Sequence, residues 1–113
     1  MVTPTPVPAV PNPGLIQGTI EALICSYSWP CEEALAVAYC ESGSDLYAAP
    51  EENPGHRGIF QLGEVHAWRF ERRGWDWGVD GLVLERNIAI AYELWLEQGW
   101  SPWGFSGSCH GIY

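Results

Sequence analysis

Six consecutive residues, Ala34-Leu35-Ala36-Val37-Ala38-Tyr39, carry neither a charge nor an amide, and no other stretch constrains the chain as much. Wound as a helix, such a run has no wet face at any phase. It predicts a helix enclosed on all sides, with a small domain built around it. Pro30 suits the opening of that helix and Gly43 supplies its stop. The first carboxylate after the apolar run is Glu41, which would sit at the mouth of the core. Partial burial and the negative end of the helix dipole both disfavour its charged form, so a pKa above that of free glutamate is expected there. A carboxyl of that kind can donate a proton near neutral pH.

The 113 residues, 47% of them hydrophobic, suit one domain with one core. Pro4, Pro6, Pro8, Pro11 and Pro13 exclude a ladder or helix from residues 1–14, which read as an extended linker of the polyproline II kind. Residues 15–113 are then the folded domain. The first residues show neither a basic segment nor an apolar run of the signal-peptide kind. No stretch approaches the length of a membrane span, so no membrane insertion is expected.

Four cysteines, Cys25, Cys31, Cys40 and Cys109, are even in number and form no Cys-x-x-Cys pair, which points to disulfides and an oxidising compartment. Three pairings are possible and the sequence alone does not choose among them. Cys25 and Cys31 can clamp a turn between two helices, which would leave Cys40 to hold the C-terminal tail through Cys109. The net charge is −9 and there is no lysine; Arg57, Arg69, Arg72, Arg73 and Arg86 supply every fixed positive charge. Nucleic acid is excluded as a partner, because phosphate contacts need clustered Lys and Arg in a positive field. Arg69, Arg72 and Arg73 share one helix face, which reads as a solvated face.

The periodicity predicts a mostly helical chain. Leu15, Ile16, Ile20, Leu23 and Ile24 suggest a first amphipathic helix, and residues 64–73 a third helix closed by Gly74. The longest periodic stretch runs from about Leu82 to Gln98, with Leu84, Ile88, Ala91, Tyr92 and Trp95 on one face and Gly99 as its stop. Pro50, Asn53-Pro54 and Gly55 mark residues 45–57 as a loop, beside which there is room for at most a short hairpin. From Trp100 onward no helical period is visible. Several of the seven tryptophans, Trp100 and Trp103 among them, are candidates for a groove wall, since an indole face suits the apolar face of a sugar.

Other chemistries find little support. His56, His66 and His110 lack the spacing that puts two imidazoles on one helix face, so neither a metal nor any other cofactor is expected. No Gly-x-Ser-x-Gly elbow offers a serine nucleophile, and pairing of every cysteine opposes a Cys-His protease.

The run Ala36-Val-Ala-Tyr-Cys-Glu-Ser-Gly43 is followed, seventeen residues after the glutamate, by Gly58-Ile-Phe-Gln-Leu62. Asn87-Ile-x-x-Ala-Tyr92 and Gly99-Trp-Ser-Pro-Trp103 come next. This ordered set resembles the lysozyme-like family of soluble lytic transglycosylases and goose-type lysozymes over about residues 30–104. Cys40-Glu-Ser-Gly43 is also similar to the resuscitation-promoting factors, which share the fold. The resemblance implies a mainly α fold of the lysozyme-like α+β superfamily, a small helical bundle around a buried central helix. It implies Glu41 as the catalytic acid, supported by Ser42, with Gly58 letting the sugar approach and Gln61 in the cleft. Phe60, His66 and Trp103 complete the expected substrate-binding set. The transglycosylases' later Ala-Tyr-Asn motif is absent, since Ala91-Tyr92-Glu93 falls inside the long helix, and the Trp-rich tail is expected to form that wall instead.

A glycosidic leaving group is too basic to depart unprotonated, so a neutral acid must be held beside it, which is the role expected of Glu41. A second carboxylate would come from Asp45, Glu64, Asp76 or Asp80, of which Asp45 and Asp80 read more simply as turn or cap residues. One strong acid without an evident partner favours lytic transglycosylation of the β-1,4 link between N-acetylmuramic acid and N-acetylglucosamine. Hydrolysis by water and a non-catalytic glycan-binding module are the alternatives. The expected setting is a monomer acting on peptidoglycan strands, secreted or carried on a virion.

Overall fold

The computed structural model describes residues 19–43 and 55–112, apart from the side chains of residues 105, 106 and 108. Helix α1 (Ile20–Ile24) opens on Thr19, whose hydroxyl accepts the Ala22 N–H at 3.1 Å. Helix α2 (Cys31–Glu41) follows Pro30 and ends at Ser42. Strands β1 (His56–Arg57) and β2 (Leu62–Gly63) form an antiparallel hairpin with His56 opposite Gly63 and Arg57 opposite Leu62. A 3₁₀ turn (Glu64–His66) runs into α3 (Ala67–Glu71). Helix α4 (Trp77–Asp80) is capped by the Asp76 carboxylate, which accepts the Val79 N–H at 3.2 Å. Helix α5 (Leu84–Gln98) stops at Gly99, whose φ of 64° with ψ of −143° is closed to a side chain. A 3₁₀ turn (Ser101–Ser106) and α6 (Gly107–His110) end the described chain. The fold is mainly helical with one short hairpin, as the periodicity predicts, and among the described residues no helix is long and apolar enough to cross a membrane.

Trp29 is the hub of the core. Its ring meets Phe60 at 5.3 Å, Tyr92 at 5.4 Å, Trp100 at 5.5 Å and Tyr27 at 5.9 Å between centroids. Its indole N–H donates to the Ile24 carbonyl at 2.7 Å, so the one polar atom of a buried ring is satisfied. Trp100 stacks on it and donates to Glu33 at 2.7 Å, tying the start of the tail to the outer face of α2.

Four expectations change. Helix α2 is not enclosed all round: Ala34, Val37 and Ala38 are buried, whereas Tyr39 is 47% exposed. Alanines let neighbours approach closely but bury little area, and the more deeply enclosed helix is α5, buried continuously from Asn87 to Leu94. The tail is not without helix, because Pro102 starts a 3₁₀ turn and α6 follows. The hairpin straddles Gly58 rather than preceding it. Arg69 and Arg73 do not lie on a solvated face; their side chains are only 3% and 7% exposed. Residues 1–18, including the proline-rich segment and the start of the first predicted helix, lie outside the described residues.

The cysteines pair Cys25–Cys31 and Cys40–Cys109, with none left free, which fits an oxidising environment. The first staples the α1–α2 turn over a separation of 6 residues and the second fixes the tail to α2 over 69. Chain entropy makes the long link worth about 4 kcal/mol and the short one about 2. Replacing Cys40 and Cys109 by serine should therefore lower stability about twice as much as replacing Cys25 and Cys31, measured by urea unfolding of both double variants. Equal losses would mean that the tail is held by its packing alone.

Candidate functional site

The turn between β1 and β2 is assembled on one side chain. Asn87 of α5 is 1% exposed. Its Oδ1 accepts the Phe60 N–H at 3.0 Å, while its Nδ2 donates to the Arg57 carbonyl at 2.9 Å and the Gly81 carbonyl at 2.8 Å. An asparagine amide offers both polarities in one plane, so a single residue can clasp both ends of a turn and a neighbouring loop. Gly58 is the consequence of that clasp. It sits at φ 75°, and a Cβ there would collide with the Asn87 amide and the Gly81 carbonyl. The space that Gly58 leaves is thus filled by the protein, not by an approaching sugar. Gln61 takes the left-handed conformation too, at φ 48°, and both its N–H and its side-chain Nε2 donate to the Gly58 carbonyl at 2.9 Å. Non-glycine residues held in that region concentrate where a structure uses them.

Beside this turn lies a cleft of about 160 Å³, lined by His56, Gln61, Leu62, Gly63, Val65, His66, Leu94, Pro102 and Trp103. Its floor is apolar and its rim carries the two histidines and the glutamine. Trp103 reaches it as a buried ring, 4% exposed, whose N–H donates to the Phe60 carbonyl at 2.9 Å. The His110 ring is 3.2 Å from the Trp103 carbonyl and accepts the Ile112 N–H at 2.9 Å. Next to His110, Cys109 is bonded to Cys40, the neighbour of Glu41. One path of covalent and hydrogen bonds thus runs from the end of α2 through the tail to the turn that bears Gln61. Glu41 is half-buried on the last residue of α2 and is not among the residues that line this cleft.

An ion cluster touches the cleft only through His66. Glu93 of α5 is 8% exposed and accepts from Arg69 at 2.9 Å, Arg72 at 2.7 Å and Arg73 at 2.9 Å; Arg69 also grips Glu97 at 2.7 and 2.8 Å. Arg69 Nε donates to His66 Nδ1 at 3.3 Å, so the cluster ends at the cleft. Burial, and then the Arg69 charge, hold the His66 pKa below its ordinary 6.5. The Arg69 hydrogen bonds hold the Glu97 pKa below 4.5, and the Asp76 N–H followed by Arg86 holds the Asp80 pKa below 3.8. In each case the unfolded chain binds the proton more readily than the folded one. Stability from His66 is therefore complete above pH 6.5 and lost as pH falls through its lower folded pKa. The two carboxylates lose theirs below their ordinary values. Melting temperature should fall from pH 7 downward in two phases, the first of them absent in His66→Gln. A flat profile between pH 7 and 5 would show His66 to be fully hydrated.

The expected site residues separate accordingly. Gln61, His66 and Trp103 meet at one cleft. Phe60 does not face it, because its ring is fully buried between Trp29 and Trp103. Ser42 is buried and its hydroxyl donates to the Tyr39 carbonyl at 3.2 Å, so it closes the helix. Asp80 is engaged by the Asp76 N–H and by an ion pair with Arg86, and Asp76 by its capping bond, so neither offers a second catalytic carboxylate. Asp45 lies outside the described residues. Among the described residues no cluster of His, Cys, Asp and Glu could hold a metal. Asn87, Arg69 and Glu93 were not legible as parts of the site; Asn87-Ile marked its place, but its three partners are made by the fold. The chain matches no family model, no curated protein and no solved structure.

Proposed function

We propose that this chain is a peptidoglycan-cleaving muramidase of the lysozyme-like kind, acting as a monomer in a secreted or virion-associated setting, with Glu41 as general acid and then base. What supports it is the convergence of the Glu41 end of α2, the Trp103 tail and the Gly58–Gln61 turn, joined through Cys40–Cys109 and the Trp103–Phe60 hydrogen bond. These are the segments that carry the family resemblance in sequence, and they are brought together by bonds, not by proximity in the chain. The apolar floor and polar rim of the adjoining cleft suit a sugar chain.

The route favoured is lytic transglycosylation. Glu41 passes its proton to the glycosidic oxygen as the bond from muramyl C1 breaks, freeing the 4-hydroxyl of N-acetylglucosamine. The muramyl C6 hydroxyl then bonds to C1 and its proton returns to Glu41, leaving a 1,6-anhydro ring and consuming no water. A hydroxyl within the same sugar has a high effective concentration, and the step needs no second carboxylate. That Asp76 and Asp80 are both occupied structurally supports this route over hydrolysis, which needs a base or nucleophile opposite the acid. Mass spectrometry of digested cell walls tests it. Anhydro-muropeptides, lighter by one water than hydrolytic products, are expected. Reducing-end products alone would make the enzyme a hydrolase and turn attention to Asp45 and the exposed Glu64, while intact walls would remove the muramidase reading.

A further inference from the structure

Among the described residues, Nε and Nη1 of Arg73 are the side-chain atoms that are buried without a hydrogen-bond partner. The side chain is 7% exposed and is engaged only through Nη2, which donates to Glu93 Oε1 at 2.9 Å. Nε carries one proton and Nη1 two, so charged N–H groups on both sides of the guanidinium lack an acceptor. The Trp75 ring, 5.4 Å from the guanidinium carbon, offers it a π face but no lone pair. Buried donors of this kind are completed by an enclosed water or an ion.

Charge decides between the two. Arg69, Arg72 and Arg73 all converge on Glu93, and Arg69 alone also reaches Glu97, so three guanidinium groups meet two carboxylates. Arg86 stands 5.0 Å from the same Trp75 ring, but Asp80 matches its charge. Arg69 has two carboxylates, and solvent screens Arg72, which is 40% exposed, so the uncompensated positive charge falls on Arg73. Burial raises the Tyr27 pKa and the Arg73 charge opposes that rise, which places the phenol near the guanidinium. The Tyr27 hydroxyl hydrogen-bonds to none of the described residues, although Tyr27 is only 8% exposed. We propose that Arg73 holds one halide ion, such as chloride, with the Tyr27 hydroxyl as a second donor. A spherical ion takes donors from different directions, and its single charge equals the surplus. A carboxylate or phosphate is too bulky for nitrogens that solvent does not reach. The ion is enclosed as α3 closes on α5 through the Glu93 pairs, and it completes the cluster whatever the chain cleaves.

Melting temperature tests this while sodium chloride replaces sodium gluconate at a constant ionic strength of about 0.3 M, which holds screening fixed. An ion bound only by the folded chain stabilises it with the logarithm of concentration above the dissociation constant. Raising chloride from about 10 to about 300 mM should therefore lift the melting temperature by about 5 °C or more. Arg73→Met should remove that dependence and Tyr27→Phe should shrink it. Arg73→Met is expected to fold, because Glu93 keeps Arg69 and Arg72. Crystals of the unsubstituted chain grown in sodium bromide give a reading that needs no variant: an anomalous peak is expected within hydrogen-bonding reach of an Arg73 nitrogen. Equal melting in the two salts, or a chloride dependence that survives in Arg73→Met, would overturn the proposal. So would bromide found at the protein surface alone, which would be an adventitious ion only.

Discussion

Glu41→Gln should abolish cell-wall clearing by the otherwise unchanged chain, a loss of a hundredfold or more, while thermal unfolding stays close to that of the parent. The amide has the shape of the carboxylic acid and cannot protonate a leaving oxygen, so the step that fails is proton transfer to the glycosidic oxygen. Binding should survive, and the loss should fall on kcat rather than KM, as for an interaction made only in the transition state. Glu41 closes α2 immediately after Cys40, whose disulfide holds the tail in register with it. That geometry gives a second way to lose activity and a way to tell the two apart. Reduction of Cys40–Cys109 would displace tail and acid together and lower stability, whereas Glu41→Gln would remove the proton and leave the melting curve in place. Turbidity assays and calorimetry on the same samples separate them. If Glu41→Gln cleared walls at a third of the normal rate, another residue would be the acid.

The parts of this fold legible in the sequence are those decided locally. Gly99 ends α5 because the backbone there needs a left-handed residue, and the 84–98 period shows which face of the helix is apolar. That the four cysteines form disulfides was legible from their even number, while their pairing, one of three the sequence left open, is decided by the fold as Cys25–Cys31 and Cys40–Cys109. What was illegible depends on a partner far along the chain. Arg69, Arg72 and Arg73 read as a wet face because three cations on a short helix ordinarily stay in water. Glu93, about two dozen residues on and itself inside an apolar helix face, draws all three to it, and Arg69 and Arg73 are buried with it while Arg72 stays exposed. Gly58 could be seen to matter, but not why: the side chain that crowds it is Asn87, which joins it only when α5 packs under the hairpin. Phe60 and Trp100 fail in the opposite sense. Aromatic residues in irregular segments looked available to a ligand, and the Trp29 hub absorbed both. The candidate site was therefore readable as a set of segments, and unreadable in which atoms of those segments face the cleft.

The largest effect on stability should come from Glu93→Gln. The carboxylate is 8% exposed and faces three guanidinium groups, two of them buried, so it has no water to replace it. Glutamine keeps the volume but presents an N–H₂ where the arginines also donate, which leaves Arg69 with Glu97 and leaves Arg73 without its carboxylate. Two nitrogens of Arg73, Nε and Nη1, are already buried without a hydrogen-bond partner among the described residues, so that side chain has no second carboxylate in reserve. Removing one partner of a buried ion pair costs about 3 to 5 kcal/mol. For a domain of this size the melting temperature should drop by roughly 12 °C or more. Glu97→Gln is the control on the same arginine. Its side chain is 47% exposed, solvent screens the pair, and the cost should stay below about 1 kcal/mol. The cluster also orients His66 through Arg69, so Glu93→Gln should disturb the imidazole tautomer at temperatures where the chain is still folded. A Glu93→Gln protein melting within about 1 kcal/mol of its parent would mean that water enters the cluster freely. Arg69 would then be free to turn, and its hydrogen bond to His66 would have no support.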